Sequence, residues 1–366
     1  MTPARGRART PPLVLGIESS CDETSVALLD GDGRILSSLV ASQFGAHELY
    51  GGVVPEIAAR AHLANLPPLL TRALSEAGAG LSDVGLVAAT AGPGLVGALL
   101  VGLSEGKGLA LGLGVPFLAA HHIEAHGLSP FLDDTGGPAR PVPESFAALV
   151  VSGGHTHVFR FGERIERLAR TRDDAAGEAY DKVAKMAGLG YPGGPIVDRL
   201  ARSGRAARPF SLPQFKDGSS DFSFSGLKTG VRDRLAALGL APDAHRPDAA
   251  KTLSEEDAPR ELRDLLADFQ EAVVAQLEDR LTRLHEAIPI PLLTVSGGVA
   301  ANSLLRERLV AWGERSGIPV LLAPRALTGD NAAMIAFAGL HRFTAGRLGE
   351  GFEAPARSRW PLESLA

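Results

Sequence analysis

Short apolar runs and polar turns alternate along this chain in a pattern that predicts most of its elements. The segment "PLVLGIESSCDETSVALLDGDGRILSS" reads as a strand, a polar turn, a second strand, a tight Asp-Gly turn and a third strand. The first of those turns carries Asp22 and Glu23. Helical periodicity follows over about 55 to 77, then a buried strand "VGLVAATAG", a helix over about 95 to 112, and a strand "PFLAA" that runs into "HHIEAH". Beyond the Pro/Gly-rich link "DDTGGPARPVP", the run "SFAALVVSGGHTHVFRFGERIERLAR" repeats the strand, turn, strand, turn, strand order. Near the end, "PLLTVSGGVAANSLLRERLVAWG" predicts a buried strand, a Gly-Gly turn and an amphipathic helix. "IPVLLAPRALTGDNAAMIAFAGL" adds a strand, a polar loop holding Asp330, and another helix.

The recurrence suggests an internal duplication of a βββαβα unit, with glycine turns pointing into a cleft between the halves. That arrangement resembles the ASKHA (actin, hexokinase and Hsp70 ATPase-like) α/β class, two RNase H-like domains around a nucleotide cleft. The expected boundaries are a disordered tail at 1–10, an N-terminal subdomain at 11–140, a C-terminal subdomain at 141–335, and a C-terminal helix and tail at 336–366.

Composition narrows the function classes. The chain has 366 residues, 45% of them apolar and 22% charged, enough for a full core and about two domains. Charges and glycines punctuate even the apolar region around 95–120, so no membrane span is expected. The single cysteine, Cys21, excludes an intrachain disulfide and a thiolate metal cage and fits a reducing cytoplasm. A formal charge of −5 excludes a globally basic nucleic-acid binder, so any RNA contact must be local. Two stretches offer one: Arg160, Arg164, Arg167, Arg170 and Arg172, and then Arg199, Arg202, Arg205 and Arg208. Solvated charged faces account for them equally well. Arg5, Arg7 and Arg9 make the N-terminal tail basic, without the apolar core of a secretory signal.

Three motif matches do not survive inspection. Gly92, Gly94 and Gly97 form a G-x-G-x-x-G string, but the next strand ends in histidine where a dinucleotide fold needs an acid. "GLSEGKG" is one residue short of a P-loop and has Gly108 in place of the metal-binding Ser or Thr. In "SGLKTG" the S-x-x-K and K-T-G strings overlap, whereas the penicillin-binding fold separates them. More telling is "VSGG", which occurs twice, at Ser152-Gly153-Gly154 and Ser296-Gly297-Gly298, each after a buried strand. Glycine turns there let backbone N–H groups approach a phosphate.

In "HHIEAH", His122 and His126 lie one helical turn apart and can share a metal. A zinc peptidase places its general base directly after the first histidine. Here Glu124 lies two residues on, about 200° around a helix of 3.6 residues per turn, pointing away from such a metal. A distant carboxylate would complete the site, and "TGDNAA" offers Asp330; a purely structural histidine pair is the competing interpretation.

Taken together, "LGIESSCDETSVALL", "GPGLVGALLVG", "VPFLAAHHIEAH", "LVVSGGHTH", "DDAAGEAYDKVAKMAGLGYPGGP", "FSFSGLKT", "VSGGVAANSLLR" and "TGDNAAMIA" resemble, in order, the signature blocks of the TsaD (YgjD) family. The resemblance implies tRNA N6-adenosine threonylcarbamoyltransferase activity. The threonylcarbamoyl group would pass from threonylcarbamoyl-AMP to N6 of the adenosine 3′ of the anticodon in tRNAs reading ANN codons. It also implies His122, His126 and Asp330 as ligands of one divalent metal, iron(II) in preference to zinc. Val150, Val151, Ser152, Gly153, Gly154, Asp181, Gly194, Asp198 and Asn302 would hold the adenylate, with His155 beside them. Implied partners are tRNA, TsaB-like and TsaE-like accessory proteins, and a TsaC-like enzyme that supplies the adenylate. Gly127 departs from the family's usual aliphatic residue, and "APDAHRPDAAKTLSEEDAP" is a longer loop than usual.

The donor is a mixed anhydride with an activated carbonyl, so the reaction needs positioning, charge stabilisation and a proton acceptor for the adenosine amine, and no covalent intermediate. Asp22 or Glu23, in the first hairpin turn, is the expected proton acceptor. An ASKHA-type kinase or ATPase, a metallopeptidase and a non-catalytic scaffold are the alternatives.

Overall fold

The computed structural model describes residues 13–48, 53–240 and 257–365. The expected N-terminal tail and most of the long loop after Leu240 lie outside them. The described residues form two units, one running to Pro143 and resuming at Ala323, the other Glu144–Leu322.

The first unit opens with a meander of β1 (Leu13–Glu18), β2 (Glu23–Asp30) and β3 (Ile35–Ser42), followed by α1 (Phe44–Glu48) and α2 (Pro55–Glu76). Next come β4 (Leu86–Gly92), α3 (Val96–Leu113), β5 (Phe117–His121) and α4 (His122–Leu128). The sheet order is β3-β2-β1-β4-β5, with β1 antiparallel to β2 and parallel to β4. Every residue of β1 is buried, as a central strand covered on both faces requires.

In the second unit, β6 (Phe146–Val151), β7 (Thr156–Phe161) and β8 (Glu166–Arg170) form the corresponding meander. Helices α5 (Ala176–Met186), α6 (Gly193–Ala201), α7 (Ser225–Ala237) and α8 (Arg260–Ala287) follow, then β9 (Leu293–Ser296), α9 (Ser303–Ser316) and β10 (Val320–Leu322). The order β10-β9-β6-β7-β8 is that of the first sheet read from its other edge. In both, the first strand of the meander sits between an antiparallel hairpin partner and a parallel strand. The duplication suggested by the sequence is therefore a duplication of topology.

The chain then returns to the first unit with α10 (Ala332–Thr344). This corrects the expected boundaries: residues 323–335 group with the first unit, as does the C-terminal helix. The physical reason is packing of α10 on β1, β2, β4 and α4, which buries Ala332 through Phe337. Gly16 permits the approach, because a Cβ there would collide with the carbonyl oxygen of Ala332 and lie 2.9 Å from the Cβ of Ala336.

By length and composition alone, the 18-residue α3 is apolar enough to cross a membrane, which the punctuation argument did not anticipate. One face of α3, with Ala98, Leu99, Leu103 and Ala110, is buried. The other borders a groove of about 680 Å³ shared with α2, lined by Leu63, Leu66, Leu81, Leu100, Leu109 and Leu113.

Candidate active site and metal centre

The first unit gathers its polar residues where β1, β4 and β5 end. Strand β5 finishes at His121, which caps α4: its Nδ1 accepts from the backbone N–H of Ile123 at 3.1 Å and of Glu124 at 3.4 Å. Its Nε2 donates to the carbonyl of Trp360 at 2.9 Å. Helix α4 then places the His122 and His126 rings 4.7 Å apart and nearly perpendicular.

Asp330 is delivered by the start of α10. Asn331 caps that helix by accepting from the N–H of Met334 at 3.0 Å, and the N–H of Ala332 donates to Ser25 Oγ in β2 at 2.8 Å. Asp330 Oδ1 thus lies 3.1 Å from His126 Nε2 and 3.4 Å from His122 Nε2. Two imidazole nitrogens and one carboxylate oxygen, all within 4.8 Å of one another, make a set that could hold a metal ion among the described residues. The donor types suit a divalent transition metal and leave further coordination positions to other ligands.

A fourth residue, missed from the sequence, completes the arrangement. Glu18 Oε2 lies 3.0 Å from His122 Nδ1 and accepts from Thr90 Oγ1 at 2.7 Å, while Oε1 accepts from the N–H of Ser20 at 2.5 Å. A carboxylate on the non-ligating nitrogen is the usual support of a metal-bound histidine. The available signal was a glutamate closing an otherwise apolar strand. His126 Nδ1, by contrast, is buried with no hydrogen-bond partner among the described residues.

Charge balance at the centre follows from these contacts. Burial disfavours the His122 cation, but Asp330 and Glu18 hold its pKa well above the usual histidine range. Burial likewise opposes ionisation of Asp330, yet His122 and His126 hold it well below the usual carboxylate range. Burial dominates at His126, whose pKa is lowered. Without a metal, the cluster keeps a proton in its place.

Glu124 points elsewhere, as its position two residues after His122 predicted. It is buried and its two carboxylate oxygens accept from Arg342 Nε on α10 at 2.9 and 2.8 Å.

Asp22 ends the turn between β1 and β2 and Glu23 opens β2, in the same unit as His122, His126 and Asp330. Glu23 is pushed up to about 9, by burial first and then by the negative charges of Asp330 and Asp22. Cys21 is pushed up as well, by burial and by Asp22 and Asp330. Three successive carbonyls of this turn are held: Ser20 by the N–H of Leu95 at 2.8 Å, Cys21 by His62 Nε2 at 3.0 Å, and Asp22 by the N–H of Gln43 at 3.0 Å.

In the second unit, the two "VSGG" turns follow β6 and β9, which are adjacent and parallel, with Val150 opposite Ser296. From β6 the chain adds strands towards one edge of the sheet and from β9 towards the other, a reversal of strand order at which open α/β sheets bind ligands. Val150 and Val151 are buried strand residues, while Gly153 and Gly154 are exposed with open space where a side chain would begin. The N–H of Ser152 donates to the His155 carbonyl at 2.7 Å and closes the first turn. Gly297 adopts φ 93°, and a Cβ there would strike the Val151 carbonyl.

The other residues expected to hold an adenylate brace the second unit's own backbone. Asp181 Oδ1 accepts from the N–H of Gly193 at 2.7 Å, at the start of α6, where Gly194 has open space. Asp198 accepts from Ser303 Oγ at 2.6 Å and Arg202 at 2.9 Å. Asn302 caps α9 through Leu305 at 3.0 Å and donates to Gln270 at 2.9 Å. Intramolecular pairs occupy part of the arginine stretches: Arg160 with Glu166, Arg172 with Asp217 and Asp221, and Arg202 with Asp198.

Residues 34–337 match the family model for TsaD, tRNA N6-adenosine threonylcarbamoyltransferase. A protein of that name from Granulibacter bethesdensis is 45% identical over 364 residues, covering 97% of this chain and 94% of its own. Another, from Pelobacter propionicus, is 47% identical over 358 residues, with 96% and 98% covered. Among solved structures, HypF from T. kodakarensis superposes with a TM-score of 0.59 at 14% identity, covering 94% of this chain and 49% of that one. At that identity the likeness speaks for the fold alone, and with the duplicated sheet topology it makes this an ASKHA α/β fold. The matched family region contains His122, His126 and Asp330, and the chain belongs to the TsaD family of tRNA N6-adenosine threonylcarbamoyltransferases.

Proposed function

We propose that this protein transfers the threonylcarbamoyl group from threonylcarbamoyl-AMP to N6 of the adenosine 3′ of the anticodon in tRNAs reading ANN codons, forming t6A. The observation that carries this reading is the near-full-length relationship to transferases of that name. The paired histidines set it apart from an ASKHA kinase, which would bind magnesium through carboxylates. Glu124, tied to Arg342, is not available as the base of a metallopeptidase.

His122, His126 and Asp330 would hold the metal, iron(II) in preference to zinc. Bound there, the metal supplies Lewis acidity and a template for the reacting groups. Val150 to His155, with Asp181, Gly194, Asp198 and Asn302, are assigned to the adenylate. Gly153 and Gly154 approach it with backbone, and the three polar side chains hold the surrounding segments in place. Asp22 and Glu23 are assigned to the amine proton. Burial, and then the negative charges of Asp330 and Asp22, hold Glu23 as a neutral acid at pH 7, so its role as acceptor belongs to the metal-loaded state, where a bound cation would favour the carboxylate.

The anticodon loop presents partly unstacked bases, so arginines of the two stretches suffice as local contacts in a chain of net charge −5. The apolar groove between α2 and α3 is assigned to a TsaB-like partner. A TsaE-like ATPase and a TsaC-like adenylate supplier complete a cytoplasmic system. The test is a transfer assay with matched partners, adenylate made in situ from threonine, bicarbonate and ATP, and unmodified tRNA, read by nucleoside mass spectrometry. Product from the wild type that is lost in a His122→Ala, His126→Ala variant supports the reading. Absence of product with adenylate demonstrably present moves the kinase alternative forward.

A further inference from the structure

His62 of α2 reaches the segment that carries Asp22 and Glu23 and binds one of its carbonyls. Of the segment's three restrained carbonyls, those of Ser20 and Asp22 are bound by backbone N–H groups, and that of Cys21 by His62. His62 is completely buried. A carbonyl only accepts, so Nε2 carries the proton and Nδ1 is the acceptor. Nδ1 lies 2.8 Å from Thr24 Oγ1 and 3.2 Å from Gln43 Nε2. The imidazole therefore bridges Cys21 and Thr24, the residues on either side of the two carboxylates. Gln43 is held in turn by buried His47, 3.3 Å from its Oε1, and returns its own backbone N–H to Asp22. A neutral histidine suits this place, because it offers one donor and one acceptor in a fixed plane without introducing a buried charge.

We propose that His62 is a positioning residue for the transfer reaction, a brace that fixes the Cys21–Thr24 backbone and thereby aims the Asp22 and Glu23 carboxylates. The inference rests on the assignment of that turn to the amine proton, and the test separates the two. Cys21 is the only cysteine in the chain and lies inside the braced turn, so its labelling by a maleimide reports local opening independently of activity.

Four variants are compared with wild type: His62→Ala, His62→Gln, Thr24→Val and Glu23→Gln. Removal of the brace in His62→Ala is expected to speed Cys21 labelling about tenfold or more. It should slow single-turnover transfer roughly 100-fold, with metal content and KM for tRNA retained. His62→Gln keeps an N–H for the Cys21 carbonyl and recovers most of both. Thr24→Val loses the other anchor and gives a smaller rise in labelling, which decides the matter even if His62→Ala does not fold.

Wild-type labelling rates in both His62→Ala and Thr24→Val would overturn the brace. Transfer unaffected in His62→Ala but abolished in Glu23→Gln would overturn the positioning role. Faster labelling in His62→Ala, combined with full activity in Glu23→Gln, keeps the brace and removes the assignment of Glu23 instead.

Discussion

Glu18 Oε2 accepts a hydrogen bond from His122 Nδ1 at 3.0 Å, and through it the end of β1 determines which imidazole nitrogen is left to bind a metal. Replacement by Gln keeps the size but loses the charge that makes the imidazole a better ligand. Glu18→Gln is predicted to lower metal affinity by about 10- to 100-fold. Competition against a chelator of known affinity measures it, and unchanged affinity would show that the bond is incidental.

Metal affinity should rise with pH. In the metal-free protein the carboxylates of Asp330 and Glu18 outweigh burial and keep His122 protonated above the ordinary histidine range. A metal has to displace that proton, so binding is weakest at low pH and strengthens as the pH rises through the elevated His122 value. Calorimetry in buffers of different ionisation enthalpy should detect proton release at pH 7. A pH-independent affinity with no proton release would contradict the charge balance described for this cluster.

Glu23 makes the opposite kind of statement about stability. Its folded pKa of about 9 lies above the ordinary value of 4.5. Its contribution to the metal-free protein is therefore complete below about 4.5 and is lost progressively as the pH rises towards 9. Relative to wild type, apo Glu23→Gln should gain stability between pH 5 and pH 8 in denaturant titrations. A constant difference between the two proteins across that range is the contrary result.

Gly16 should be intolerant of even one methyl group. A Cβ there meets the Ala332 carbonyl and crowds Ala336, so α10 has to move, at a cost of about 1–3 kcal/mol. Because Asp330 immediately precedes α10, Gly16→Ala is predicted to lose metal affinity along with stability. Thermal unfolding and metal titration of the same preparation test whether the two losses coincide.

Glu124 and Arg342 form a buried pair behind the ligand helix. Arg342→Met leaves a carboxylate buried without its partner, a loss of about 3–5 kcal/mol. The double variant Glu124→Leu, Arg342→Met removes both charges and is expected to regain most of that stability. A double variant no more stable than the single one would mean that the pair is held for another reason.

Much of this was legible from local pattern. Continuous apolar runs marked β1, β4 and β6, because in a sheet covered on both faces burial requires continuous hydrophobicity, and turn residues marked the hairpin strands beside them. The spacing of His122 and His126 put them on one helical face, and the position of Glu124 turned it away from them. What escaped notice depends on contacts between distant residues. Glu18 reads as the end of a strand until β5 brings His122 beside it, and His62 reads as one polar residue in a helix until the Cys21 carbonyl is placed against it. The hydrogen bonds that Asp181, Asp198 and Asn302 make to backbone groups and neighbouring side chains are equally invisible in the sequence. The assignment of residues 323–335 failed for a similar reason: order along the chain does not reveal that α10 returns to the first sheet.

That return has a consequence for biosynthesis. The second unit is inserted between the two histidines and Asp330, so a ribosome finishes the inserted unit before it makes the last ligand. The element that covers Gly16, α10, is therefore made after both histidines and brings with it Asp330, the third member of the set. A chain interrupted within the second unit would hold the two histidines without Asp330, so this three-residue set can be complete only in the full-length polypeptide.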